Sequence, residues 1–493
     1  MNHEVVVKPT PSTEGNFFQP PAKIELNAKD TMELGRSLFH ANKLAEAFDC
    51  FSALSDACPD NWDAPFMAAH MLGGQFKWEE ALKWYDRAMA IALTEANQVC
   101  LNKSVALGEL GRSAEGIAIL EAMVARLPND AHAFYNLGVL YMQTDRFEEA
   151  LGLFQRSIDL DPTAAKGDAI YCKGFANLVL GNYIEGFRGF ENRLKANIKG
   201  GPAQGRELKP DNVIPWWEDG HTDIQSKTVL VLSEMGRGDM IQFGRYLPML
   251  VKLGATVLVV ADRGTEALYR GLPGVTIFSP TDVLPAADYW CHMMGLAHVF
   301  QTTVDTVPPP LPLHYDDEIL KIWRNEIIPK SEGILNVGLC WAGNPESRYD
   351  NHRTIPLEML RPLIELRYSQ GARGVRFYNL QQGLRDCDVE AHHTLPLIDI
   401  GEHFTDFRET AHAMKCLDLV ITVDTSVAHM AGTVGVPTWI LVTRYRTYWL
   451  WIKGRNDTPW YSSVELIRQP ILGDWPSTIE VVRDRLLGML AAD

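Results

Sequence analysis

The sequence predicts an α + α/β fold in which a helical repeat region comes first and two parallel-sheet domains follow. Small and aromatic residues recur at helical spacing through residues 30–193. From Thr228 onward, short β-branched apolar runs alternate with helical patterns, which favours parallel sheets with ligands at the strand ends. Residues 194–226 hold Pro215-Trp216-Trp217 without helical periodicity, and we predict a linker that packs through its two tryptophans.

The helical region contains repeated copies of one pattern. Residues 131–162 match the tetratricopeptide (TPR) consensus, a helix pair of about 34 residues, and residues before and after them match it less closely. Each helix pair leaves an apolar face that its neighbour covers, so the copies are expected to stack into a curved α-solenoid whose concave surface binds a peptide or protein. The alternative is a generic helical bundle. The matching residues are Phe134, Leu137, Gly138, Tyr141, Ala150, Phe154 and Pro162 in the best copy, and Leu34, Gly35, Ala47, Phe51, Pro59, Ala81, Tyr85, Ala88, Gly108, Leu120, Pro128, Gly174, Phe187 and Phe190 in the others.

The α/β region is expected to divide into two domains. Pro308-Pro309-Pro310 and Pro312 interrupt the strand–helix alternation and mark the passage between them. The predicted helices are Met240–Lys252, Leu357–Ser369 and Phe404–Lys415. The predicted strands are Thr228–Leu232, Thr256–Val260, Thr276–Phe278, Asn336–Trp341, Arg376–Leu380, Leu397–Ile400, Leu417–Thr422 and Thr438–Val442. The predicted organisation is a mobile tail at 1–29, TPR repeats at 30–193, a linker at 194–226, and α/β domains at 227–332 and 333–493.

Composition argues against several classes of protein. The chain has 46 Lys and Arg against 62 Asp and Glu, a formal net charge of −16, which makes it a poor candidate for nucleic-acid or anionic-membrane binding. No apolar run reaches the roughly 20 residues of a membrane span. The eight cysteines form no C-x-x-C pair, so we expect a reduced, cytoplasmic protein. Cys387 lies near His392-His393, but a second ligand pair is missing, so no metal site is predicted.

The stretch 417–437 is the most informative for function. Leu417–Thr422 has the apolar, β-branched character of a buried parallel strand, and Asp424-Thr425-Ser426 is typical of the cap and first turn of a helix that Gly435 ends. Free backbone N–H groups at such a helix start favour a phosphate. His429 is expected on the same helix face as Thr425 and Ser426. The alternative is an ordinary strand–helix unit with a packed histidine.

Two other predicted strand ends carry candidate residues. After Thr228–Leu232, Gly236 and Gly238 permit a tight turn and close backbone approach, and Asp239 then begins a helix. Asp239 is either the cap of that helix or a general base. After Asn336–Trp341, a small-residue turn leads to Arg353, which could hold a diphosphate and stabilise its charge as it leaves. The alternative for Arg353 is a solvated loop charge.

Four segments in this order resemble a known family. The carboxyl-terminal part of the chain resembles GT-B glycosyltransferases of the heptosyltransferase-like group, glycosyltransferase family 9. The whole layout resembles bacterial TPR-containing glycosyltransferases, which are similar in architecture to O-linked N-acetylglucosamine transferases. The tail Asp457-Thr458-Pro459-Trp460-Tyr461 also fits the resemblance. The four segments are Glu234–Phe243, Gly338–Pro345, Arg353–Leu357 and Asp424–Gly432.

The resemblance implies a GT-B pair of doubly wound, Rossmann-like domains and roles for particular residues. It implies that Asp239 is the catalytic base and that Arg353 compensates the leaving diphosphate. It implies no cofactor and no metal, with a nucleotide sugar as donor substrate. The nucleotide-sugar-binding residues that it implies are Gly236, Gly238, Asn344, Gln381, Asp424, Thr425, Ser426 and His429.

The resulting expectation is a glycosyltransferase whose acceptor is a protein recruited by the TPR surface. One alternative is a non-catalytic TPR interaction protein with a degenerate GT-B half, and another is a nucleotide-sugar epimerase or hydrolase. Arg237 departs from the small or apolar residue usual in the Gly-rich turn, and residues 443–449 are more basic than the family pattern. The donor sugar, the stereochemistry and the oligomeric state stay open, although TPR stacks often form homo-oligomers.

Overall fold

The computed structural model describes residues 4–7, 24–92, 96–160, 166–194, 217, 222–261, 264–345, 350–368 and 373–491. The chain divides into two compact units, Met1–Ala169 and Ile170–Asp493. The division falls within a helix, Lys166–Val179, and precedes the end of the predicted repeats at Arg193. No helix in these described ranges is both long and apolar enough to cross a membrane.

The first unit is a succession of helices, each of which packs on the next. Sequence and structure agree on the helical character of this region. The helices are α1 (Ala28–His40), α2 (Leu44–Ala57), α3 (Asp63–Gly74), α4 (Trp78–Ile91), α5 (Ala96–Glu109), α6 (Ser113–Arg126), α7 (Ala131–Gln143) and α8 (Phe147–Leu160). The division falls within α9 (Lys166–Val179), and α10 (Tyr183–Phe190) belongs to the second unit.

Glycine and aromatic residues explain why the repeat pattern has its spacing. A Cβ at Gly35 would lie 2.7 Å from the Phe51 ring, and a Cβ at Gly138 would lie 2.7 Å from the Phe154 ring. In both repeats the aromatic ring of the second helix packs directly against the glycine of the first helix, and a side chain in place of that glycine would displace the ring. The helices therefore approach closely at the positions that the consensus reserves for small residues.

The turns within the helix pairs share one backbone feature. Each has a residue of left-handed conformation, and in four of these turns that residue is Asn, Asp or Gly, the types that tolerate it. In the second repeat the position holds Phe76, an aromatic residue that is 61% exposed. The residues and their φ angles are Asn42 (59°), Phe76 (61°), Gly111 (74°), Asp145 (64°) and Gly181 (81°).

The region predicted as a mobile tail contains a pair of strands. β1 (Glu4–Val7) pairs antiparallel with β2 (Ile24–Asn27), and α1 follows at once. The Val-Val-Val run of β1 has the β-branched composition that favours a strand. Most of the predicted linker lies outside the described residues, Trp216 among them. Trp217 is described and is buried, with its backbone N–H donating to the carbonyl of Trp290 at 2.8 Å.

The second unit contains two sheets in which every strand pair is parallel. The four-stranded sheet has the order β5-β4-β3-β6, and the six-stranded sheet has the order β12-β11-β10-β7-β8-β9. Counted from its first strand, the six-stranded sheet follows the Rossmann order 3-2-1-4-5-6, and the four-stranded sheet follows its first four positions. The strands are β3 (Thr228–Leu232), β4 (Thr256–Val260), β5 (Val275–Phe278), β6 (Tyr289–His292), β7 (Ile334–Cys340), β8 (Gly374–Asn379), β9 (Leu397–Asp399), β10 (Leu419–Val423), β11 (Thr438–Val442) and β12 (Val464–Arg468).

All eight strands that the sequence predicts in this region are present, and β6 and β12 are additional.

The predicted helices differ more from the structure. The predicted helix Met240–Lys252 is interrupted at Gly244–Tyr246, and Pro248 lies at the start of its second part. The predicted helix Leu357–Ser369 consists of short 3₁₀ and α turns around Pro362 as far as Tyr368. Proline removes a backbone donor and favours a helix start over a helix interior, which accounts for both breaks. After α10, the helices of this unit are α11 (Arg237–Phe243), α12 (Leu247–Lys252), α13 (Glu266–Tyr269), α14 (Leu296–Val299), α15 (Asp317–Ile322), α16 (Asp350–Arg353), α17 (Arg361–Ile364), α18 (Val389–Thr394), α19 (Phe407–Met414), α20 (Ser426–Val434) and α21 (Trp475–Ala491).

Helix α10 packs within the second unit. The ring of Phe187 contacts Trp449 with ring centroids 5.4 Å apart, and the indole N–H of Trp460 donates to the Tyr183 hydroxyl at 2.9 Å. Just beyond α10, the Arg193 guanidinium forms two hydrogen bonds with the buried Glu234 carboxylate, at 2.5 and 3.0 Å. The last helix pair of the predicted repeats therefore supplies part of the core of the α/β unit.

Candidate functional site

The strand orders locate the switch point of each sheet. In the six-stranded sheet, β7 and β10 are neighbours, and the chain leaves them in opposite directions along the sheet. In the four-stranded sheet the corresponding neighbours are β3 and β6. Ligands of open parallel sheets bind beyond the carboxyl ends of such strands. The candidate residues from the sequence follow β3, β7 and β10, so the topology brings them to these two edges.

The turn from β10 into α20 has the predicted strand–cap–helix form. Thr425 is the N-cap, in extended conformation, and its hydroxyl accepts the N–H of Val427 at 3.2 Å. The helix ends at Gly435, whose φ of 78° and hydrogen bond to the Ala431 carbonyl satisfy the last turn. Asp424 does not provide the cap. Burial raises the pKa of its carboxyl, and the nearby Arg353 opposes that shift.

Arg353 is fixed against this turn and is not a solvated loop charge. Its Nη1 donates to the carbonyl of Asp424 at 2.8 Å, and its Nε donates to the buried carboxylate of Asp350 at 3.0 Å. Arg385 also pairs with Asp350. A Cβ at Gly343 would lie 2.4 Å from both Arg353 and Asp350, so the glycine of the β7 turn leaves room for this network. Arg353 thus places a cation beside the start of α20.

His429 is enclosed between the two sheets. Its side chain stacks on Trp451 with centroids 5.8 Å apart, and its Nδ1 lies 3.2 Å from the Tyr461 hydroxyl. Burial, together with the positive charges of Arg245 and Arg353, lowers the pKa of His429 to about 3. The imidazole is therefore neutral at physiological pH. A Cβ at Gly238 would lie 2.7 Å from His429, which confirms the close backbone approach predicted at that glycine.

The left-handed residue of the β3–α11 turn is neither of its two glycines. That residue is Met235, with φ of 62°, whereas Gly236 is extended with φ of −88°. Gly236 instead contributes its N–H, which donates to the Asp239 carboxylate at 3.0 Å. Asp239 therefore lies in the first turn of α11, at its third position, whereas the N-cap is Gly236 and not Asp239 as one of its two predicted roles had it. Arg237 begins α11 and is exposed.

The second oxygen of Asp239 faces the other sheet. The hydroxyl of Tyr448, from the loop after β11, donates to Asp239 Oδ1 at 2.6 Å. Removal of water around the partly buried carboxyl raises the pKa of Asp239 to about 6, although the donors Tyr448 and Gly236 act in the opposite direction. A carboxyl with this pKa releases and takes up a proton near neutral pH, which suits a general base.

Two further predicted residues lie around the end of β7. The Gln381 side-chain oxygen accepts the backbone N–H of Ala342 at 3.1 Å and the Cys340 thiol at 3.2 Å. Gln381 thereby joins the end of β8 to the β7 turn. Asn344 is exposed on that turn. Ser426 opens α20, and its Cα would lie 3.5 Å from a Cβ at Gly238, so it too belongs to the junction of the sheets.

Sequence reasoning did not identify several residues at this junction. Tyr448 lies in the segment noted only for its basic residues. Gln242 follows Asp239 by three positions, a spacing that places both on one face of α11, and this spacing could have drawn attention to it. Arg245 is buried and donates to the carbonyl oxygens of Gln242, Pro308 and Trp460 at 2.9 to 3.1 Å. It joins elements from both sheets.

The described residues contain no group of three or more His, Cys, Asp or Glu side chains that could hold a metal ion. In the segment considered for zinc, Cys387 is exposed, and His392 lies 3.3 Å from the Asp399 carboxylate.

Comparison with known proteins identifies the repeats. The tetratricopeptide repeat family model matches residues 101–165. Protein FlbA of Caulobacter vibrioides is 23% identical over 491 residues, which cover 93% of this chain and 78% of FlbA. The DnaJ homolog subfamily C member 7 of Mus musculus is 34% identical over 91 residues, 18% of each chain.

Solved structures resemble about a third of the chain. MamA from Desulfovibrio magneticus RS-1 is 20% identical, with coverage of 34% of this chain and 92% of MamA and a TM-score of 0.29. YrrB, described as a TPR protein with an unusual peptide-binding site, is 17% identical, with coverage of 34% and 85% and a TM-score of 0.27. The family match identifies tetratricopeptide repeats in the helical region, and a parallel-strand α/β region follows them.

Proposed function

We propose that the α/β unit is a metal-independent GT-B glycosyltransferase that moves a sugar from a nucleotide sugar to an acceptor hydroxyl or amide. The observation that carries the proposal is the position of Asp239. A carboxyl with a pKa near 6, at the switch-point edge of one parallel sheet, meets the β11 loop of a second parallel sheet. The second sheet carries Arg353 beside the start of α20, which suits an anion.

The two sheets would divide the work of transfer. Asp239 would accept the proton of the acceptor as the new bond to the sugar anomeric carbon forms. The bond between that carbon and the diphosphate oxygen would break, and its electron pair would leave with the diphosphate. Arg353 and the backbone N–H groups at the start of α20 would stabilise the added charge. Thr425 and Ser426 would contribute to the same anion site.

His429 would act in this scheme as a neutral group. Its low pKa, about 3, rules out a cationic imidazole near neutral pH. It would hold the Gly238 backbone close to α20 through their direct contact and so set the distance between Asp239 and the donor. Gln381, joined to the β7 turn, would provide the edge at which the nucleoside lies.

The TPR region would recruit the acceptor. TPR arrays bind partners on extended concave surfaces, and YrrB, a TPR protein of 17% identity, is described as having a peptide-binding site. A protein acceptor fits this arrangement, because the repeats would hold a polypeptide on the same chain as the transferase unit.

The experiment is a thermal-shift panel of nucleoside diphosphates and nucleotide sugars, followed by transfer assays with the ligands that bind. A ligand at a hundredfold excess over its Kd adds about 2.7 kcal/mol to the stability of the folded state, which raises Tm. Arg353→Ala is expected to abolish the shift and to lower kcat at least about 100-fold, because it removes the cation that faces the diphosphate. Arg361→Ala is the control, since Arg361 pairs with Glu358 and Glu365 at the surface.

The other functions give different results in the same experiment. An epimerase or hydrolase would consume the nucleotide sugar at full rate without acceptor. A non-catalytic TPR protein would show no shift with any nucleotide at millimolar concentration, and that result would overturn the transferase proposal.

A further inference from the structure

Asp239 receives a donor on each carboxylate oxygen, and the two donors come from different parts of the fold. The Gly236 N–H, from its own turn, lies 3.0 Å from Oδ2. The Tyr448 hydroxyl, from the loop that follows β11 in the other sheet, lies 2.6 Å from Oδ1. The shorter of these hydrogen bonds therefore depends on the approach of the two sheets.

Tyr448 has a second contact that its single proton cannot satisfy. Its oxygen lies 3.4 Å from the side-chain oxygen of Gln242, which is fully buried. The Tyr448 proton is already engaged with Asp239, so two oxygens would face each other without a proton between them. The Gln242 amide nitrogen, meanwhile, finds no hydrogen-bond partner within the described part of the chain.

A half-turn of the Gln242 amide removes this mismatch. The nitrogen and oxygen of a glutamine amide have nearly the same shape, and the hydrogen-bond network decides which of them faces a neighbour. With the nitrogen facing Tyr448, Gln242 donates to the Tyr448 oxygen, and Tyr448 donates to Asp239. Donation to the tyrosine oxygen polarises its O–H and strengthens the next hydrogen bond.

We propose that Gln242 and Tyr448 are positioning residues that form a relay onto Asp239 and hold its carboxylate oriented and ionised for proton transfer. This inference rests on the proposed function, in which Asp239 is the base. Neither residue needs to touch the substrate. Tyr448 acts from the donor-side sheet, so the base is fully aligned only when the two sheets are together.

The surroundings of Asp239 give the direction of the effect. Glu234 and Asp424 oppose ionisation, whereas the Tyr448 hydroxyl and the Gly236 N–H favour it. Loss of the Tyr448 hydroxyl leaves the carboxylate with one donor and raises its pKa above about 6. The titratable and charged groups that face this region are Glu234 after β3, Asp424 after β10, His429 on α20, Tyr448 after β11, Tyr461 before β12, and Arg353 and Arg245 at the junction of the sheets.

The first test is the pH dependence of kcat/KM in Tyr448→Phe. The acidic limb, which reports the pKa of the base in the free enzyme, is expected to move upward by about one pH unit. Gln242→Met is expected to move it in the same direction by a smaller amount. Tyr378→Phe is the matched control, because it removes a buried hydroxyl that donates to Asn336 at 3.4 Å, near the start of β7. A limb that stays in place in Tyr448→Phe would overturn the relay.

The second test needs no catalytic activity. A carboxyl whose pKa is higher in the folded protein than its ordinary 3.8 binds more protons when folded, so stability falls as pH rises between the two values. Tyr448→Phe extends this window upward, so its Tm should fall more than that of the wild type between pH 5 and pH 8. Tyr378→Phe should match the wild type in this difference. In an Asp239→Asn background, adding Tyr448→Phe should produce no further change in the difference in Tm between pH 5 and pH 8.

The two proposals are separable by these results. A thermal difference specific to Tyr448→Phe, in a protein that binds no nucleotide sugar, would retain the relay and overturn the transferase. Transfer activity with equal pH dependence of Tm and kcat/KM in wild type and Tyr448→Phe would retain the transferase and overturn the relay.

Discussion

Gly238 lies where the α11 turn meets α20, and the absence of a side chain there has a direct structural reason. The nearest atoms to its missing Cβ belong to the His429 ring, at 2.7 and 3.3 Å, followed by the Ser426 Cα at 3.5 Å. His429 cannot move aside easily, because Trp451 stacks on one face and Tyr461 contacts its Nδ1. Gly238 therefore sets how closely the two sheets approach and whether Tyr448 reaches Asp239.

Replacing Gly238 with alanine is expected to destabilise the α/β unit. The added methyl group would overpack the His429 contact, which costs about 1 to 3 kcal/mol of the free energy of unfolding. Urea unfolding followed by the fluorescence of the buried tryptophans would measure the change. Gly488→Ala is the control, because Gly488 is an exposed residue of α21 with no atom within 4 Å of a Cβ. Helix propensity predicts that this variant gains about 0.5 to 1 kcal/mol. Equal stability of the two variants would contradict this account.

Residue-level prediction from the sequence succeeded where the information is local. Thr425, Gly435 and the close approach at Gly238 follow from strand-to-helix turn chemistry, which a few neighbouring residues determine. Tyr448 and Arg245 could not be found in this way. Their partners lie across the chain, at Asp239 for Tyr448 and at Trp460 for Arg245, and only the meeting of two sheets brings them together.

At the scale of the element, the turns of the TPR helix pairs carry an unusual residue. The left-handed conformation costs roughly 1 to 2 kcal/mol for most residues, and Asn and Gly adopt it more readily. Phe76 adopts it with φ of 61°, and its ring also contacts Trp78 with centroids 6.4 Å apart. A substitution here changes both the backbone strain and the ring contact, so the two have to be separated.

A pair of substitutions separates them. Phe76→Asn and Phe76→Ala both lose the ring contact, but Asn tolerates the left-handed backbone better than Ala. Phe76→Asn is therefore expected to be more stable than Phe76→Ala by about 0.5 to 1 kcal/mol. Thermal or urea unfolding followed by helical circular dichroism would measure the difference. Asn42→Ala, at the same position of the first repeat, should lower stability for the same reason. If Phe76→Ala were as stable as Phe76→Asn, the left-handed backbone at this position would not contribute to the difference in stability.

Strands and helices differ in how well the sequence predicts them. Most of the eight predicted strands are short apolar runs rich in β-branched residues, the composition typical of buried parallel strands. The two that were not predicted, Tyr289–His292 and Val464–Arg468, contain aromatic, polar or charged residues that weaken this pattern. Long helical periodicity was misleading at Pro248 and Pro362, because apolar spacing continues across a proline although the helix does not.

At the scale of the whole molecule, the sequence pattern and the packing place the end of the repeat region differently. The pattern extends the repeats to Arg193, whereas the compact first unit ends at Ala169. Helix α10 was predicted as part of the last repeat, since Phe187 and Phe190 fit the TPR pattern. The same residues pack on Trp449, which adjoins Tyr448 in the β11 loop. Local pattern therefore describes the helix pair correctly, but its packing partner comes from the far end of the chain and leaves no trace in local periodicity.

Fragments that differ by residues 166–221, which hold α9, α10, Arg193 and the buried Trp217, test the boundary. A fragment of residues 166–493 is expected to unfold cooperatively, because it keeps α10 and Arg193. A fragment of residues 222–493 loses the aromatic cover of Trp449 and leaves the buried Glu234 carboxylate without Arg193. Removing one partner of a buried ion pair costs about 3 to 5 kcal/mol, and the lost burial of each aromatic ring adds about 1.5 to 3 kcal/mol. We expect the shorter fragment to aggregate or to show a greatly lowered Tm.

The contribution of the ion pair can be measured apart from that of the helix. The full-length double variant Arg193→Met with Glu234→Gln keeps α10 and its aromatic residues but removes both charges of the Arg193–Glu234 pair. The Glu191 carboxylate, which Arg193 also binds at 2.6 Å, remains, and the variant should still lose less stability than the 222–493 fragment. Differential scanning calorimetry of the two fragments and this variant would give the comparison. If the 222–493 fragment unfolded at the same temperature as 166–493, the α/β unit would be complete without α10. In that case the boundary predicted at Arg193 would describe the folding unit better than the packing of Tyr183, Phe187 and Phe190 does.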